Sequence, residues 1–402
     1  MPSGASFVCG GVTEHHPNPA GRRYGPDVLR ATHRTRSRAR AALLTVPALA
    51  LVVPAACTAT GPPGPSASAT AAIAGSAAAS AADPTATDPA SRDAEQLDTE
   101  RRVLVVTVDG LRSSVLRELG PEELPVLTRL REEGASTLEA RTVVEQTETL
   151  PNHTSMLTGR RIDAGLGGHG VTWNTDEPGT TVQEAAGEPV GSLFSRVHAA
   201  GGGTALFTGK SKFSLFQRSW PEGLDRYTLR EDGARLVALA RRDLRREART
   251  VTFLHLAAPD VAGHAHGWGS QEYADAVRAV DGWLGEVLDT VASRPVLREH
   301  LTLVLTADHG GSGLGHTDPR RPEDYRIPFV AWGDGVATGT DLYELNEDYR
   351  DPGRRRPGYA AERQPVRNAD VANLALDLLG LGPVPGSTIG TAQELDLEPP
   401  PA

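Results

Sequence analysis

Cysteine is nearly missing from this chain of 402 residues: there are two, Cys9 and Cys57, and both precede residue 58. Everything downstream therefore lacks a disulfide, a thiolate metal site and a cysteine nucleophile. Lysine is equally scarce, with Lys210 and Lys212 the only two against 39 Arg, and aromatic residues make up 5%. Cations as a whole are outnumbered, 41 Lys and Arg against 51 Asp and Glu, for a formal net charge of -10. That balance argues against a nucleic-acid scaffold, because a phosphate backbone is held chiefly by clustered Lys and Arg. The long apolar run AALLTVPALALVVPAAC, ending at Cys57, is too short to cross a bilayer comfortably as a helix. What remains, 39% hydrophobic and 23% charged, is the composition of a globular protein.

The charges divide the chain. Residues 1–57 carry seven Arg against Glu14 and Asp27, which leaves the remainder at -15. Arg occupies every second position from Arg34 to Arg40, and no charge follows from Ala41 to Ala82. A basic stretch before an apolar run of this size reads as an export signal, so residues 1–57 are expected to send the protein out of the cytoplasm. Cys57 follows Pro54-Ala55-Ala56, small residues of the kind that precede the lipidated Cys of bacterial lipoproteins, although Pro54 stands where that motif usually has Leu. A lipid at Cys57 would anchor the chain to a membrane; ordinary cleavage nearby and an uncleaved anchor are the alternatives. The first 27 residues fit no targeting pattern, which points to a start at Val28. Residues 58–100, rich in Ala, Ser, Thr, Pro and Gly, read as a disordered tether, and 391–402 as a disordered tail. Between them, 101–390 form one domain of about 290 residues with ample core.

The pattern changes at Arg102. RVLVVTV is an uninterrupted β-branched run, as expected of a strand buried on both faces of a parallel sheet. Similar runs begin at Thr204, Val251, Leu301 and Ile327. Helical patterns lie between them: 125–133, 190–199, 234–246, 368–379, and the stripe Tyr273, Val277, Val280, Leu284, Val287, Leu288 and Val291 at 3.6 residues per turn. Alternating strands and helices predict an α/β fold, a three-layer sandwich with a mostly parallel central sheet.

Function in such folds concentrates at the carboxyl ends of the strands. Asp109-Gly110 follows the first run, PDVAGHAHG with Asp260 and His264 follows VTFLHLA, and Asp308-His309 with the later His316 follows LTLVLTA. Taken singly, Asp-Gly is usually a turn, an i, i+4 Asp-His pair is usually surface, and Asp-His can cap a helix. Three carboxylates and three imidazoles together at strand exits form a ligand set suited to Zn²⁺ or similar ions, and two metals are implied. In TETLPNHTSMLTGRR, Pro151 suits the first turn of a helix, which places Thr149 just before it, near unsatisfied N–H groups.

These pieces resemble the alkaline phosphatase superfamily, most closely its nucleotide pyrophosphatase/phosphodiesterase branch. The matching motifs are VDG at 108–110, TLPNH at 149–153, HGVTWN at 169–174, PDVAGH at 259–264, ADHGG at 307–311, His316 and the closing VRNADVANLALDLLGLGPVPGS. The resemblance implies that Asp260, His264 and His316 bind one Zn²⁺ and that Asp109, Asp308 and His309 bind the other. It further implies Thr149 as nucleophile and Asn174 as hydrogen-bond donor to a phosphoryl oxygen, with His153, His169, His255 and His266 supporting or structural. The expected enzyme is an exported dinuclear hydrolase that cleaves phosphodiester or pyrophosphate bonds in a small phosphate ester or nucleotide-like substrate through a phospho-threonine.

Nucleotide-cleaving relatives commonly carry an aromatic after the nucleophile where this chain has Leu150, which speaks against base stacking. A monoester dianion rewards extra cations. The spacing of Lys210 and Lys212 resembles a Lys-x-Arg pair that some threonine-nucleophile alkaline phosphatases direct at phosphate. A phosphomonoesterase is therefore the alternative. A phosphotransferase, a sulfatase, and a non-catalytic cell-surface binding module on a degenerate hydrolase fold rank behind it.

Overall fold

The computed structural model describes residues 96–247, 249–391 and 394–398. The export signal, Val28, Cys57 and the tether up to residue 95 lie outside the described residues. The apolar runs form strands of one eight-stranded sheet: β1 (Arg102–Val108), β2 (Ala135–Arg141), β3 (Thr204–Thr208), β4 (Arg226–Leu229), β5 (Val251–Leu256), β6 (Leu301–Thr306), β7 (Arg326–Gly333) and β8 (Thr340–Asp341). Their order is β4-β3-β5-β1-β6-β7-β2-β8. From β4 to β6 every pairing is parallel. β7 is antiparallel to both β6 and β2, so the run at Ile327 points opposite to its neighbours and ends away from the other strand exits.

Helices cover both faces, as the uninterrupted burial of β1, β5 and β6 requires. On one side the long helix Gln271–Ala292 packs against Pro125–Glu132, Gly233–Arg246 and Ala258–His266. Its buried residues include all seven of the predicted stripe. On the other side Thr149–Thr158, Leu193–Ala199 and Val371–Asp377 pack together. The mostly parallel α/β sandwich is thus present. Each fully buried aliphatic chain in it contributes roughly 1.5–3 kcal/mol, so the strand exits stand on a rigid base.

Several boundaries differ from expectation. Thr149 is the first residue of its helix rather than the residue before it, with Glu148 as N-cap. The helix expected from 190 starts at Leu193, where Ser192 and Ser195 form a reciprocal cap. β2 and the edge strand β4 were not predicted: β2 has one large apolar residue, Leu138, and a bulge between Thr137 and Ala140, while β4 is only four residues long. The domain is also wider than 101–390. Asp98 N donates to Leu379 O, and Ala337 N to Leu397 O. Leu395 and Leu397, two apart in an acidic stretch, are both buried, which draws residues 394–398 of the supposed disordered tail onto the domain.

Candidate metal centre

Four parallel strands deliver the site. Asp109 directly follows β1 in a turn that requires glycine next: Gly110 has φ 73°, and a Cβ there would lie 3.0 Å from Asp260 Cα. Trp268 Nε1 and Tyr273 Oη both donate to Gly110 O, at 2.9 and 3.0 Å, and fix the turn. β5 leads into the helix Ala258–His266, with Asp260 in its first turn and His264 one turn later. β6 leads to Asp308 and His309, and His316 lies on the loop beyond. Thr147 holds that loop, its hydroxyl donating to His316 O while its own carbonyl meets His316 Nδ1 at 2.6 Å.

The six side chains fall into two triads, Asp260 with His264 and His316, and Asp109 with Asp308 and His309. Within each, one ligand atom per residue lies within 4.8 Å of the others. Each histidine turns Nδ1 to a backbone carbonyl: His264 to Leu314 O at 3.2 Å, His309 to Gly310 O at 2.8 Å, and His316 to Thr147 O. An Nδ1–H donated in this way leaves Nε2 as a lone pair. His264 Nε2 and His316 Nε2 then face each other at 3.1 Å as two acceptors, an arrangement that suits two ligands of one cation. Each aspartate also contributes one buried oxygen without a hydrogen-bond partner: Asp109 Oδ1, Asp260 Oδ1 and Asp308 Oδ2. Buried acceptors are seldom left unmatched. Orphaned carboxylate oxygens beside free imidazole nitrogens fit a divalent ion in each triad, and the oxygen and nitrogen donors suit zinc among others.

Lys210, which follows β3, joins the triads. Its Nζ lies 2.5 Å from Asp109 Oδ2 and 2.6 Å from Asp260 Oδ2. Burial pushes the Asp109 carboxyl up, but the Lys210 ammonium and His255 outweigh it and hold Asp109 well below the usual carboxylate range. Burial and the charge of Asp109 raise Asp260. Burial disfavours the charged form of His309, yet Asp308 overrides it and lifts the ring to about 9, so a cation held at Nε2 would displace a proton there. Burial and the neighbouring His309 charge push His316 down to about 3.

Thr149 Oγ1 sits 3.4 Å from His309 Nε2 and 3.4 Å from Lys210 Nζ. It opens the helix Thr149–Thr158, whose dipole favours an anion, although Pro151 has no N–H and the Leu150 N–H is given to Asn174. Asn174 Oδ1 accepts from Leu150 N at 3.0 Å and from Lys212 Nζ at 2.9 Å. The Leu150 side chain, which stands where nucleotide-cleaving relatives carry an aromatic, is fully buried in the core, and its peptide N–H reaches the site.

Residues 103–327 match the type I phosphodiesterase/nucleotide pyrophosphatase family. The chain belongs to that family. The chain is 33% identical over 151 residues to GPI ethanolamine phosphate transferase 1 of Yarrowia lipolytica, covering 37% of this chain and 16% of that protein. It is 30% identical over 146 residues to the Saccharomyces cerevisiae transferase of the same name, covering 36% and 15%. The matched region thus spans about one-sixth of the length of these curated relatives. The fold is that of murine ectonucleotide pyrophosphatase/phosphodiesterase 5, solved in complex with AMP: TM-score 0.54, 15% identity, 70% of this chain and 95% of that one. The human counterpart gives TM-score 0.54 and 14% identity, with 74% and 99% covered.

Two of the histidines read as supporting or structural, His255 and His153, do support the site, and Asn368, within the closing motif, joins them. His255 accepts at Nδ1 from Gly209 N, so its Nε2–H donates to Asp109 Oδ2 at 2.9 Å and aims that carboxylate. His153 bridges Thr149 O at 2.8 Å and Thr107 Oγ1 at 3.0 Å, and burial pushes its pKa down to about 4. Asn368 donates to the carbonyls of Ala307 and Asp308, each at 3.3 Å, and steadies the β6 exit. The signal for His255 in the sequence is an imidazole inside the apolar run VTFLHLA, in a strand buried along its whole length. His266 is exposed and takes no part in either triad.

Proposed function

We propose that this chain is an exported, dinuclear-zinc phosphoesterase that cleaves phosphodiester or pyrophosphate bonds by way of a phosphorylated Thr149. The observation that carries the reading is the position of Thr149 Oγ1, within 3.4 Å of one triad's His309 and of the Lys210 that spans both triads. Asp260, His264 and His316 would hold one ion, and Asp109, Asp308 and His309 the other. When bound, such ions supply Lewis-acid charge that makes a threonine hydroxyl nucleophilic and stabilises the in-line transfer of phosphorus.

The chain's own groups do the rest. Thr149 Oγ1 bonds to phosphorus as the bond from phosphorus to the leaving oxygen breaks, and the hydroxyl proton ends on that leaving oxygen, by way of solvent. The dipole of the helix that Thr149 opens favours the charge that gathers on the phosphoryl oxygens, and the Asn174 amide offers a donor to it. Water then attacks the phospho-threonine, the Oγ1 to phosphorus bond breaks, and Thr149 regains its proton. The basic and apolar residues 1–57 support export, and Cys57 is the candidate lipid attachment point at the cell surface.

Two other outcomes have support. The ammonium of Lys210, 3.4 Å from Thr149 Oγ1, favours a phosphomonoesterase, since a dianion gains most from a nearby cation. The likeness to GPI ethanolamine phosphate transferases supports a reaction in which an alcohol replaces water as acceptor. Acid quenching during turnover of bis-p-nitrophenyl phosphate, followed by peptide mass spectrometry, tests the central claim: phosphate on the peptide bearing Thr149 is expected, and its consistent absence from all peptides would sink it. Rates on bis-p-nitrophenyl phosphate against p-nitrophenyl phosphate, with and without added ethanolamine, rank diester, monoester and transfer.

A further inference from the structure

We infer that Lys212 is a positioning residue that holds the Asn174 amide in the orientation its donor role requires, rather than a group that touches the substrate phosphate. The inference rests on the role given to Asn174 above. Two donors converge on Asn174 Oδ1, the Leu150 peptide N–H at 3.0 Å and Lys212 Nζ at 2.9 Å. An ammonium and a peptide N–H have hydrogens to give and no lone pair to receive one. The atom between them must be the amide oxygen, so the usual ambiguity between amide O and N is settled by chemistry. With Oδ1 occupied twice, both Nδ2 hydrogens are left for another acceptor. Leu150 follows Thr149 in the same helical turn, so the amide is anchored beside the nucleophile.

The fold commits the two lysines to different tasks. Lys210 follows β3 in extended conformation, with its ammonium on Asp109 and Asp260. Ser211–Phe213 then form one 3-10 turn, and Phe213, fully buried, packs 4.3 Å from the His255 ring and 4.7 Å from the His153 ring. Lys212 is therefore carried on a turn pinned to the histidines behind the metal centre. Burial and the Lys210 charge work against its ammonium and lower its pKa, a cost that a solvated surface lysine would not meet and that the bond to Asn174 Oδ1 offsets. Without Lys212, the amide would keep only the Leu150 bond and its Nδ2 would spend less time aimed at the transferred group.

A double-mutant cycle on the full-length, zinc-loaded protein tests this. The variants are Asn174→Ala, Lys212→Met, their combination, and Lys212→Gln and Lys212→Arg, each checked for folding by thermal melt. Removing a donor of the oxyanion-hole kind costs about 10²–10³ in kcat, and that loss is expected for Asn174→Ala. Lys212→Met should lower kcat by about tenfold or more on bis-p-nitrophenyl phosphate and p-nitrophenyl phosphate alike, with KM little changed. In the Asn174→Ala background the same substitution should add almost nothing. Lys212→Gln, which keeps a neutral donor, should lie between, and Lys212→Arg should recover most of the rate. A Lys212→Met loss that is undiminished in the Asn174→Ala background overturns the inference. So does a selective rise in KM for the monoester, which would mean direct contact with the dianion. If Asn174→Ala leaves kcat unchanged while Thr149→Ala is inactive, the inference fails and the nucleophile assignment survives. If Thr149→Ala retains full turnover, the proposed function itself fails.

Discussion

His309 and His316 stack face to face, ring centroids 3.6 Å apart and planes 6° from parallel, although each belongs to a different triad. The wall between the two candidate ion sites is thus a pair of imidazoles whose Nδ1 atoms are tied to backbone carbonyls. Neither ring can turn without breaking a buried hydrogen bond, so each triad is pre-formed by its neighbour. Elemental mass spectrometry of the zinc-loaded protein should find two ions per chain, and His264→Ala should reduce this to one. Activity should fall at least about a hundredfold, as is typical when a metal's shell is damaged. Two ions retained in His264→Ala would mean that the triad is wrongly assigned.

The nucleophile makes a sharper prediction. Thr149→Ala removes the only hydroxyl proposed to bond phosphorus and should lower kcat/KM by three orders of magnitude or more, to about the level left by substrate binding and the remaining donors. Thr149→Ser keeps an Oγ at the start of the same helix but frees χ1 from its β-branch. It should retain part of the rate and still yield a phosphorylated peptide. A Thr149→Ala protein that keeps a tenth of the wild-type rate would require another nucleophile.

His255 offers a test away from the reacting atoms. Its Nε2–H aims Asp109 Oδ2 while Thr208 and Gly209 fix its other nitrogen. Outer hydrogen bonds of this kind typically change metal affinity by about 10–100-fold. His255→Ala should weaken zinc binding by that factor in a competition with a chromophoric chelator, with the second ion less affected. Unchanged affinity would show that Asp109 needs no such partner.

The sequence made some of this legible because the chemistry coincides with a change of pattern. Asp109, Asp260 and Asp308 each stand at the end of an apolar run, and parallel-strand exits converge in space. What it could not display are contacts with backbone atoms and contacts between distant segments. The carbonyl of Thr147 that orients His316 carries no side-chain signature, and the partners are 169 residues apart. Lys210 and Lys212 stood out by composition alone, yet their spacing did not reveal that one would meet carboxylates and the other an amide. β2 stayed hidden because a strand near a sheet edge needs few apolar residues, and Ala135–Arg141 has few. The packing of Leu395 and Leu397 was lost in an acidic, proline-rich tail.

Lys210 separates the diester and monoester readings. Its ammonium spans Asp109 and Asp260, 3.4 Å from Thr149 Oγ1. Burial opposes the charge, but the surrounding carboxylates raise the pKa above that of an ordinary lysine, so the group stays cationic through the neutral range. A charge-assisted hydrogen bond is worth about 1.5–3 kcal/mol, or roughly 10–100-fold in rate. Lys210→Ala should lower kcat/KM for p-nitrophenyl phosphate by that factor if the cation meets a dianion, and should affect bis-p-nitrophenyl phosphate less. Equal losses on both substrates would mean that Lys210 serves the carboxylates rather than the phosphate.

His169 predicts how the fold responds to acid. It is fully buried; its Nδ1 accepts from Val171 N at 3.1 Å, so the Nε2–H donates to Ser155 Oγ at 2.9 Å. Both nitrogens are committed in the neutral ring, and a second proton would face the Val171 N–H. Burial pushes the imidazole from 6.5 down to about 3. As pH falls through about 6.5 the unfolded chain takes up this proton and the folded chain does not until about 3. Stability contributed by the neutral ring is therefore complete above about 6.5 and is lost progressively below it. At pH 5 the loss from this residue is about 2 kcal/mol, since each pKa unit is worth about 1.4 kcal/mol. Urea unfolding of wild type and His169→Asn at pH 7.5 and pH 5 checks this. The variant should be less stable at both values, but its decrease between them should be smaller than the wild type's by about 2 kcal/mol. The buried His153 remains in both proteins and cancels from the comparison. Equal decreases would mean that His169 is not held neutral between Val171 and Ser155.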